Sequence, residues 1–188
     1  NQWLAGQPAL TQAAVLYYRL YYLPLVVVVV SLLIFRIDAY SKVRRTMVVM
    51  ALLALLVFWL FPMSPPRFAL AGIVDIVAEH DILSGNTSRD LTNGQNHFSA
   101  MPSLHVGWSA LCAYAAWLSL RGRHPRLAWL VWLFPVIMVA VVIATGNHYV
   151  LDVAASAALL AVSIGVVTVW DRHHQALRAR LPWTPRDS

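Results

Sequence analysis

Five apolar segments, each close to the ~20 residues that a helix needs to cross a bilayer, constrain the fold of this chain more than any other feature. The segments cover residues 13–35, 46–61, 103–120, 127–144 and 150–170. Of the 188 residues, 60% are hydrophobic and only 12% are charged, which excludes an ordinary soluble domain. We therefore predict an all-α, polytopic membrane helix bundle in which residues 1–188 form one domain.

Proline and small residues predict where the helices end and how they pack. Pro24 interrupts the first span, which neighbouring helices can accommodate, and the proline-rich segment from Pro62 to Arg67 ends the second. Residues 68–83 are predicted to hold one short amphipathic helix, and residues 84–96 to form a loop rich in Gly, Asn, Ser and Thr. In the fifth span a face for close helix packing is predicted from its small residues, which are Ala154, Ala157, Ala158, Ala161 and Gly165.

The basic residues predict the orientation of the bundle. Eleven of the fourteen lie in alternate connectors, at residues 36–45, 121–126 and 171–188. The positive-inside rule places these connectors in the cytoplasm and the opposite polar segments, with Arg67, outside. By the same rule Asn1 lies outside, so we expect a sixth helix upstream of it. The expected location is the plasma membrane of a bacterium.

The net charge of +6 does not indicate a nucleic-acid partner, because the basic residues flank apolar segments instead of forming one face. The single cysteine, Cys112, lies inside an apolar segment and cannot form an intrachain disulfide, so it gives no information about redox compartment. The expected partner of the chain is the lipid bilayer.

Residues 97–105, reading His-Phe-Ser-Ala-Met-Pro-Ser-Leu-His, lead from a polar connector into the third span. Pro102 is suited to the first turn of a helix, and the N–H groups of Ser103, Leu104 and His105 are then predicted to be free. Free N–H groups and the positive end of a helix dipole bind anions such as phosphate. His105 would lie beside that anion as a proton donor. The alternative is an ordinary helix start with an incidental histidine.

His148 and Asp152 are spaced i, i+4 and therefore share one face at the start of the fifth span. The carboxylate can accept a hydrogen bond from one ring nitrogen and leave the other free as a nucleophile or base. One alternative is a pair that only stabilises the helix start. Another is a metal site formed with His105, which leaves Arg67 on the same membrane face unexplained and puts a cation beside it.

Three motifs resemble those of the type 2 phosphatidic acid phosphatase superfamily. They are Pro65-Pro66-Arg67, Met101-Pro102-Ser103-Leu104-His105 and Gly146-Asn147-His148-Tyr149-Val150-Leu151-Asp152. The resemblance is closest to the branch of inositol phosphorylceramide synthase-like phosphotransferases, which carry a Pro-Pro-Arg first motif and a His-Tyr third motif. It spans residues 65–152, and the helix order extends it over nearly the whole chain.

The resemblance implies a mechanism through a phosphohistidine. His148 resembles the nucleophile, Asp152 its orienting carboxylate, and His105 the general acid that protonates the leaving alcohol. These roles agree with the residue types, because phosphoryl transfer needs a positioned nucleophile and a proton for the leaving group.

The resemblance also implies a set of phosphate-binding groups. Ser103 and the backbone N–H groups around Leu104 would hold the phosphoryl oxygens, Arg67 would supply positive charge, and Asn147 is a further candidate. Arg19 either snorkels to the lipid headgroups, which we favour, or points into a polar cavity and adds a charge there. No metal or other cofactor is implied.

Two departures from the broad superfamily concern fixed cations. The superfamily has a lysine six residues before an Arg-Pro pair, and a Ser-Arg pair ahead of the third-motif histidine. No lysine precedes Arg67 in this way, and Val141 and Val142 occupy the Ser-Arg positions. A site with fewer cations suits a phosphodiester, which carries one negative charge, better than a monoester, and a diester donor with an alcohol acceptor is transferase chemistry.

The sequence thus predicts a membrane lipid-phosphate phosphatase or phosphotransferase on the non-cytoplasmic face. Its substrate would be a phospholipid or a polyprenyl or glycolipid phosphate, and transfer of an inositol-phosphate type of headgroup between lipids or glycolipids is one form of that reaction. The rival hypothesis is a transporter or binder of anionic lipid headgroups. A transporter is expected to carry internal repeats or polar, broken helices at mid-membrane. No internal repeat is apparent, and the polar residues are predicted at one rim of the bundle and not at the midplane.

Overall fold

The structure is a computed structural model that describes residues 1–80 and 98–180. Those residues are organised as helices, and one isolated bridge pairs Met63 with Ser99. In chain order the helices are α1 (Gln2–Ala5), α2 (Pro8–Leu20), α3 (Tyr22–Phe35), α4 (Ile37–Leu60), α5 (Pro66–Ala69), α6 (Ile76–Glu79), α7 (Leu104–Leu120), α8 (Pro125–Leu130), α9 (Leu133–Ala144) and α10 (Val150–Arg180).

Several of these helices are long and apolar enough to cross a membrane. Four stretches meet that description, namely Pro8–Phe35, Ile37–Leu60, Pro125–Ala144 and Val150–Leu177. A fifth apolar helix, α7, has 17 residues. The chain is an integral membrane protein, and the predicted all-α polytopic bundle is confirmed. The single domain and the upstream sixth helix stay predictions.

Prolines explain two breaks within the spans. Pro24 has no N–H to donate to the carbonyl of residue 20, and its ring crowds that carbonyl. Accordingly α2 ends at Leu20 and α3 begins at Tyr22, with Tyr21 between them still in a right-handed helical conformation. Pro135 has the same effect in the span Pro125–Ala144, where α8 ends at Leu130 and α9 begins at Leu133.

The basic segment at 36–45 was predicted as a connector, and this is wrong. Helix α4 begins at Ile37, so only Arg36 separates it from α3. Helix α10 likewise continues to Arg180 and does not end at Trp170. An ion pair joins the two extensions, since Nη1 of Arg45 lies 2.8 Å from Oδ1 of Asp171.

Two further predictions about local structure are corrected. Residues 68–83 do not form one helix, because the described part contains two separate turns, α5 and α6, with extended or bent backbone between them. The predicted loop at 84–96 lies outside the described residues. The predicted small packing face of α10 is also wrong, because all five of its residues, Ala154, Ala157, Ala158, Ala161 and Gly165, are exposed.

Helix α10 instead packs through a face of serines and larger apolar residues. Its buried side chains, besides Asp152, are Ser156, Leu160, Ser163 and Val167. A serine buried in a membrane helix can satisfy its hydroxyl on the backbone of the preceding turn. Ser163 does so, since its Oγ donates to the carbonyl of Leu159 at 2.7 Å.

Helix α7 is the centre of the bundle. It packs against α3, α4, α8, α9 and α10, and its Leu111 and Tyr114 belong to the main buried cluster. The contact with α4 is close at Gly107, where an added Cβ would lie 2.6 Å from Cε of Met50. Because α7 is held on several sides, the residues at its start have fixed positions relative to α4 and α10.

Candidate active site

A short backbone pairing brings the first two motifs together. The N–H of Met63 donates to the carbonyl of Phe98 at 2.9 Å, and the N–H of Ala100 donates to the carbonyl of Met63 at 2.9 Å. The segment that follows α4 therefore runs beside the segment that precedes α7. A third contact adds the last motif, since the N–H of Arg67 donates to the carbonyl of Gly146 at 3.0 Å.

Helix α7 begins one residue later than predicted, and Pro102 lies before it. Ser103 has an extended conformation and is the N-cap, with its Oγ accepting a hydrogen bond from the N–H of Val106 at 3.5 Å. The N–H of Ser103 was predicted to be free, and this is wrong. It donates to the carbonyl of Asp152 at 3.3 Å, because an extended residue directs its N–H away from the helix axis and here towards α10.

Ser156 joins the same two helices from the other side. Its Oγ lies 2.8 Å from the carbonyl oxygen of Ser103 and 2.7 Å from that of Asp152. All three residues are buried. The start of α7 is thereby attached to the first turn of α10, which carries the third motif.

His148 and Asp152 form the pair that their spacing predicts. Nδ1 of His148 lies 3.3 Å from Oδ2 of Asp152, and the same oxygen accepts a hydrogen bond from the N–H of Tyr149 at 2.8 Å. Asp152 is fully buried and His148 is 8% exposed. With Nδ1 turned to the carboxylate, Nε2 is the ring nitrogen of His148 that is available to a ligand.

His105 lies in the first turn of α7 between aromatic rings. Its ring stacks on Tyr18 with centroids 3.9 Å apart, and it meets Tyr21 at 4.5 Å in a tilted arrangement. The centroids of His105 and His148 are 6.1 Å apart. Two imidazoles at this separation can approach one small group from different sides.

Arg67 is held by three neighbours. Its Nη1 donates a hydrogen bond to Oδ1 of Asn147, its Nε lies 3.4 Å from Oδ2 of Asp75, and its guanidinium carbon lies 4.5 Å from the ring centre of Phe68. Asp75 is 3% exposed and also caps α6, with Oδ1 accepting from the N–H of Ala78 at 3.3 Å. The guanidinium therefore has a fixed position and a nearby negative charge.

The loop between α9 and α10 is ordered by its own backbone. The carbonyl of Val142 accepts from the N–H groups of Asn147 and His148, at 3.0 and 3.2 Å, and Nδ2 of Asn147 donates to Oγ1 of Thr145 at 2.6 Å. Gly146 has a φ of 73°, and an added Cβ there would lie 2.6 Å from a methyl carbon of Ile73. Glycine is therefore required at this turn for both conformation and space.

These groups surround one cavity of about 240 Å³. Of the residues predicted for the site, five line it, namely Arg67, Leu104, His105, Asn147 and His148. Three others do not contribute to its wall: Ser103 and Asp152 are buried next to it, and Arg19 is partly buried on α2.

Arg19 does not extend freely towards solvent, because its Nε is enclosed in the protein. It also lies within electrostatic range of His105. This placement does not fit free snorkelling, but Arg19 does not line the cavity either, so its contribution to phosphate binding stays a prediction.

Two residues of the site were missed by sequence reasoning. Tyr18 lines the cavity and stacks on His105, but its aromatic surroundings at residues 17–22 are also typical of a membrane interface. Asp75 falls in the segment at 68–83 that was predicted as one amphipathic helix, and no partner was predicted for it. A buried carboxylate in a membrane protein is usually paired, so an acidic residue eight positions after Arg67 was the available signal for a partner of that arginine.

The metal alternative finds no support in the described ranges, where no group of three or more His, Cys, Asp or Glu side chains is placed to hold a metal ion. At the predicted triad, Oδ2 of Asp152 faces Nδ1 of His148 and a backbone N–H, so the carboxylate pairs directly with the imidazole.

The fold and the cavity define an integral membrane protein with two histidines and one arginine around a small polar site. The family model described as the PAP2 superfamily, the type 2 phosphatidic acid phosphatases, matches residues 1–166. The chain belongs to this superfamily, and membership supports a lipid-phosphate phosphatase type of function. Comparison with curated proteins and with solved structures gave no significant match.

Proposed function

We propose that this protein cleaves a phosphoester bond of a membrane lipid through a phosphohistidine on His148. The observation that carries the proposal is the placement of His148, which lines the cavity while its Nδ1 faces Asp152. A neutral imidazole that donates through Nδ1–H to a carboxylate has its lone pair on Nε2. Nε2 is then a nucleophile of fixed orientation.

In the first step, Nε2 of His148 attacks phosphorus and the bond from phosphorus to the lipid or headgroup oxygen breaks. The proton for the departing oxygen comes from His105. In the second step a water or alcohol attacks the phosphorus, the P–N bond breaks, and His105 takes the proton of the attacking group. The separation of 6.1 Å between the two ring centres leaves room for a phosphoryl group between them.

Charge on the phosphoryl oxygens is balanced by Arg67 and by the start of α7. Leu104 and His105 are the first residues of that helix, so their N–H groups have no acceptor within the helix. The helix dipole adds positive potential at the same place. Ser103 contributes indirectly, because as the N-cap of α7 it fixes the first turn, which carries these N–H groups.

The charges support a phosphodiester donor more than a monoester. Arg67 is the only lysine or arginine among the described residues that line the cavity, and Asp75 offsets its charge. Val141 and Val142 stand where the broad superfamily has its Ser-Arg pair. Arg19 lies outside the cavity wall and would add positive charge from there. A diester of one negative charge suits this balance, which agrees with the resemblance to inositol-phosphate type phosphotransferases.

The proposed orientation places the cavity at the non-cytoplasmic face. The cavity is built from the ends of α4 and α9 and the starts of α7 and α10. The basic residues cluster at the opposite end of the bundle, at the start of α4, in the segment after α7 and at the end of α10. The positive-inside rule assigns that end to the cytoplasm.

The test is a lipid panel with purified protein. Lipid monoesters and diesters are supplied with and without an alcohol acceptor, and released phosphate is scored against transferred headgroup. We expect turnover that is lost in His148→Ala and kept in His124→Ala, which changes an exposed histidine at the other end of the bundle. We also expect EDTA to leave turnover intact and vanadate to inhibit it. Turnover that needs a divalent metal, or that survives His148→Ala, would contradict the proposal.

A further inference from the structure

At the end of the bundle opposite the candidate active site, the start of α4 and the end of α10 enclose two adjoining cavities. One has a volume of about 690 Å³ and a mainly polar wall. The other has a volume of about 420 Å³ and an almost entirely apolar wall. Arg44, Arg45 and Trp170 line both cavities, so the two form one continuous groove.

The polar cavity carries an excess of positive charge. Arg45 is paired with Asp171 across the groove at 2.8 Å. Lys42 and Arg44 also line this cavity, and neither has an ion-pair partner within the described part of the chain. Arg44 is exposed and lies over the ring of Tyr40 at 5.7 Å. The wall also carries a second carboxylate, Asp38, so the three cations and two carboxylates leave the cavity with a net charge of +1. The two unpaired cations are available to a ligand.

The apolar cavity lies one helical turn further into the membrane-spanning part. Val48 and Val49 form its wall on α4, and Val166 and Val167 form it on α10. Trp170 stands at the junction with the polar cavity and is 57% exposed, a position typical of tryptophan at a membrane interface. The order along the groove is cationic, then aromatic, then apolar.

We propose that this groove binds one anionic phospholipid of the adjacent leaflet. Lys42 and Arg44 contact its headgroup, and the valines of α4 and α10 contact one acyl chain. An anionic lipid is favoured over a zwitterionic one, because the polar cavity has a net positive charge and a zwitterionic headgroup has no net charge to match it. The site shares no residue with the catalytic cavity, so it does not depend on the proposed reaction.

The test uses native mass spectrometry of the detergent-purified protein, titrated with phosphatidylglycerol or with phosphatidylcholine of the same acyl chains. We expect tighter binding of phosphatidylglycerol. In the double variant Lys42→Gln/Arg44→Gln this affinity should fall about 30-fold, since each basic residue near an anionic lipid contributes about fivefold. The matched control, Arg123→Gln/Arg126→Gln, removes two exposed charges from the connector at the same end of the bundle and should change the affinity less than twofold.

The acyl-chain half of the site has its own variant. Val166→Trp places a large side chain in the apolar cavity and should weaken binding of phosphatidylglycerol while leaving Lys42 and Arg44 in place. Equal affinity for the two lipids would overturn the proposal, because the groove would then not select for an anionic headgroup. Equal loss in the control and the test variant would overturn it in favour of general surface charge. A dimer mass that disappears in Val166→Trp would overturn it in favour of a second copy of the chain.

Discussion

Nε of Arg67 lies 3.4 Å from Oδ2 of Asp75, so a cation of the candidate active site is paired with a buried carboxylate. Asp75 is itself held at the N-cap of α6 through its Oδ1. The guanidinium, which also donates to Asn147, lines the cavity with part of its charge offset. This pairing bears on which phosphate esters the cavity accepts.

Asp75→Asn should shift the substrate preference towards monoesters. Asparagine retains an oxygen that can cap α6 but removes the negative charge beside Arg67. At an effective dielectric constant of about 20, a unit charge about 8 Å from the phosphate contributes about 2 kcal/mol, so we expect the ratio of kcat/KM for monoester over diester to rise about tenfold. Glu79→Gln, an exposed change of the same charge nearby, is the control and should leave the ratio unchanged. An unaltered ratio in Asp75→Asn would mean that the pair fixes Arg67 without affecting charge selection.

Tyr18 should act as a positioning residue for His105. The two rings stack with centroids 3.9 Å apart, and an aromatic contact contributes about 0.5–1.5 kcal/mol. Tyr18→Leu should therefore lower kcat about tenfold on substrates with poor leaving groups and much less on activated ones, whereas Tyr18→Phe should keep near-normal rates. Tyr22→Leu, an exposed change on α3, is the control. A uniform loss for both kinds of substrate would indicate a general structural role.

The orientation of the bundle can be tested by labelling with a membrane-impermeant maleimide in intact cells. In a Cys112→Ala background, Glu79→Cys should react from outside, while Gly122→Cys should react only after the membrane is opened. Both positions are exposed and lie at opposite ends of the bundle. The reverse pattern would place the candidate active site in the cytoplasm.

Features set by spacing along one helix or by apolar length were predictable from the sequence. The pairing of His148 with Asp152 follows from i, i+4 spacing, and the helix ends next to the cavity, such as Leu60 and Ala144, follow from hydrophobic length and proline. The basic ends of α4 and α10 were not predictable in this way, because their helices continue past the apolar residues. Asp75 was not predicted as a partner of Arg67, because the chain between them is not a regular helix and its path depends on tertiary contacts.

The packing face of α10 was mispredicted for a related reason. Small residues permit close helix contact, but which face is buried depends on where α4 and α7 lie. In the structure the buried face carries Ser156 and Ser163, while Ala157 and Ala161 are exposed. Likewise the N–H of Ser103, which was predicted to be free, donates to the carbonyl of Asp152. Asp152 is far from Ser103 in sequence but adjacent to it in the bundle.

His105→Ala should slow substrates according to their leaving group. An alkoxide needs a proton to depart, so loss of the general acid should cost about 10²–10⁴-fold on a lipid ester. A nitrophenolate departs without protonation, so the rate on a nitrophenyl ester should fall much less. The measurement is single-turnover release of each leaving group by wild type and variant. Equal losses would show that His105 mainly binds phosphate.

The covalent step separates this mechanism from a transporter or a binder of headgroups. Wild-type protein quenched at alkaline pH during turnover of a lipid labelled with ³²P should retain label on His148, because phosphohistidine survives alkali. His148→Ala should retain no label and should turn over neither lipid esters nor activated esters.

Asp152→Asn keeps a side chain of similar shape but cannot hold His148 in the same tautomer, so we expect its rate to fall about 10²–10⁴-fold on lipid esters and activated esters alike. Ser163→Ala, a buried polar change deeper in α10, is the control for damage to that helix and should keep both the label and the rate. Label that persists in His148→Ala would assign the nucleophile to another residue, and turnover without any labelled protein would favour direct attack by water.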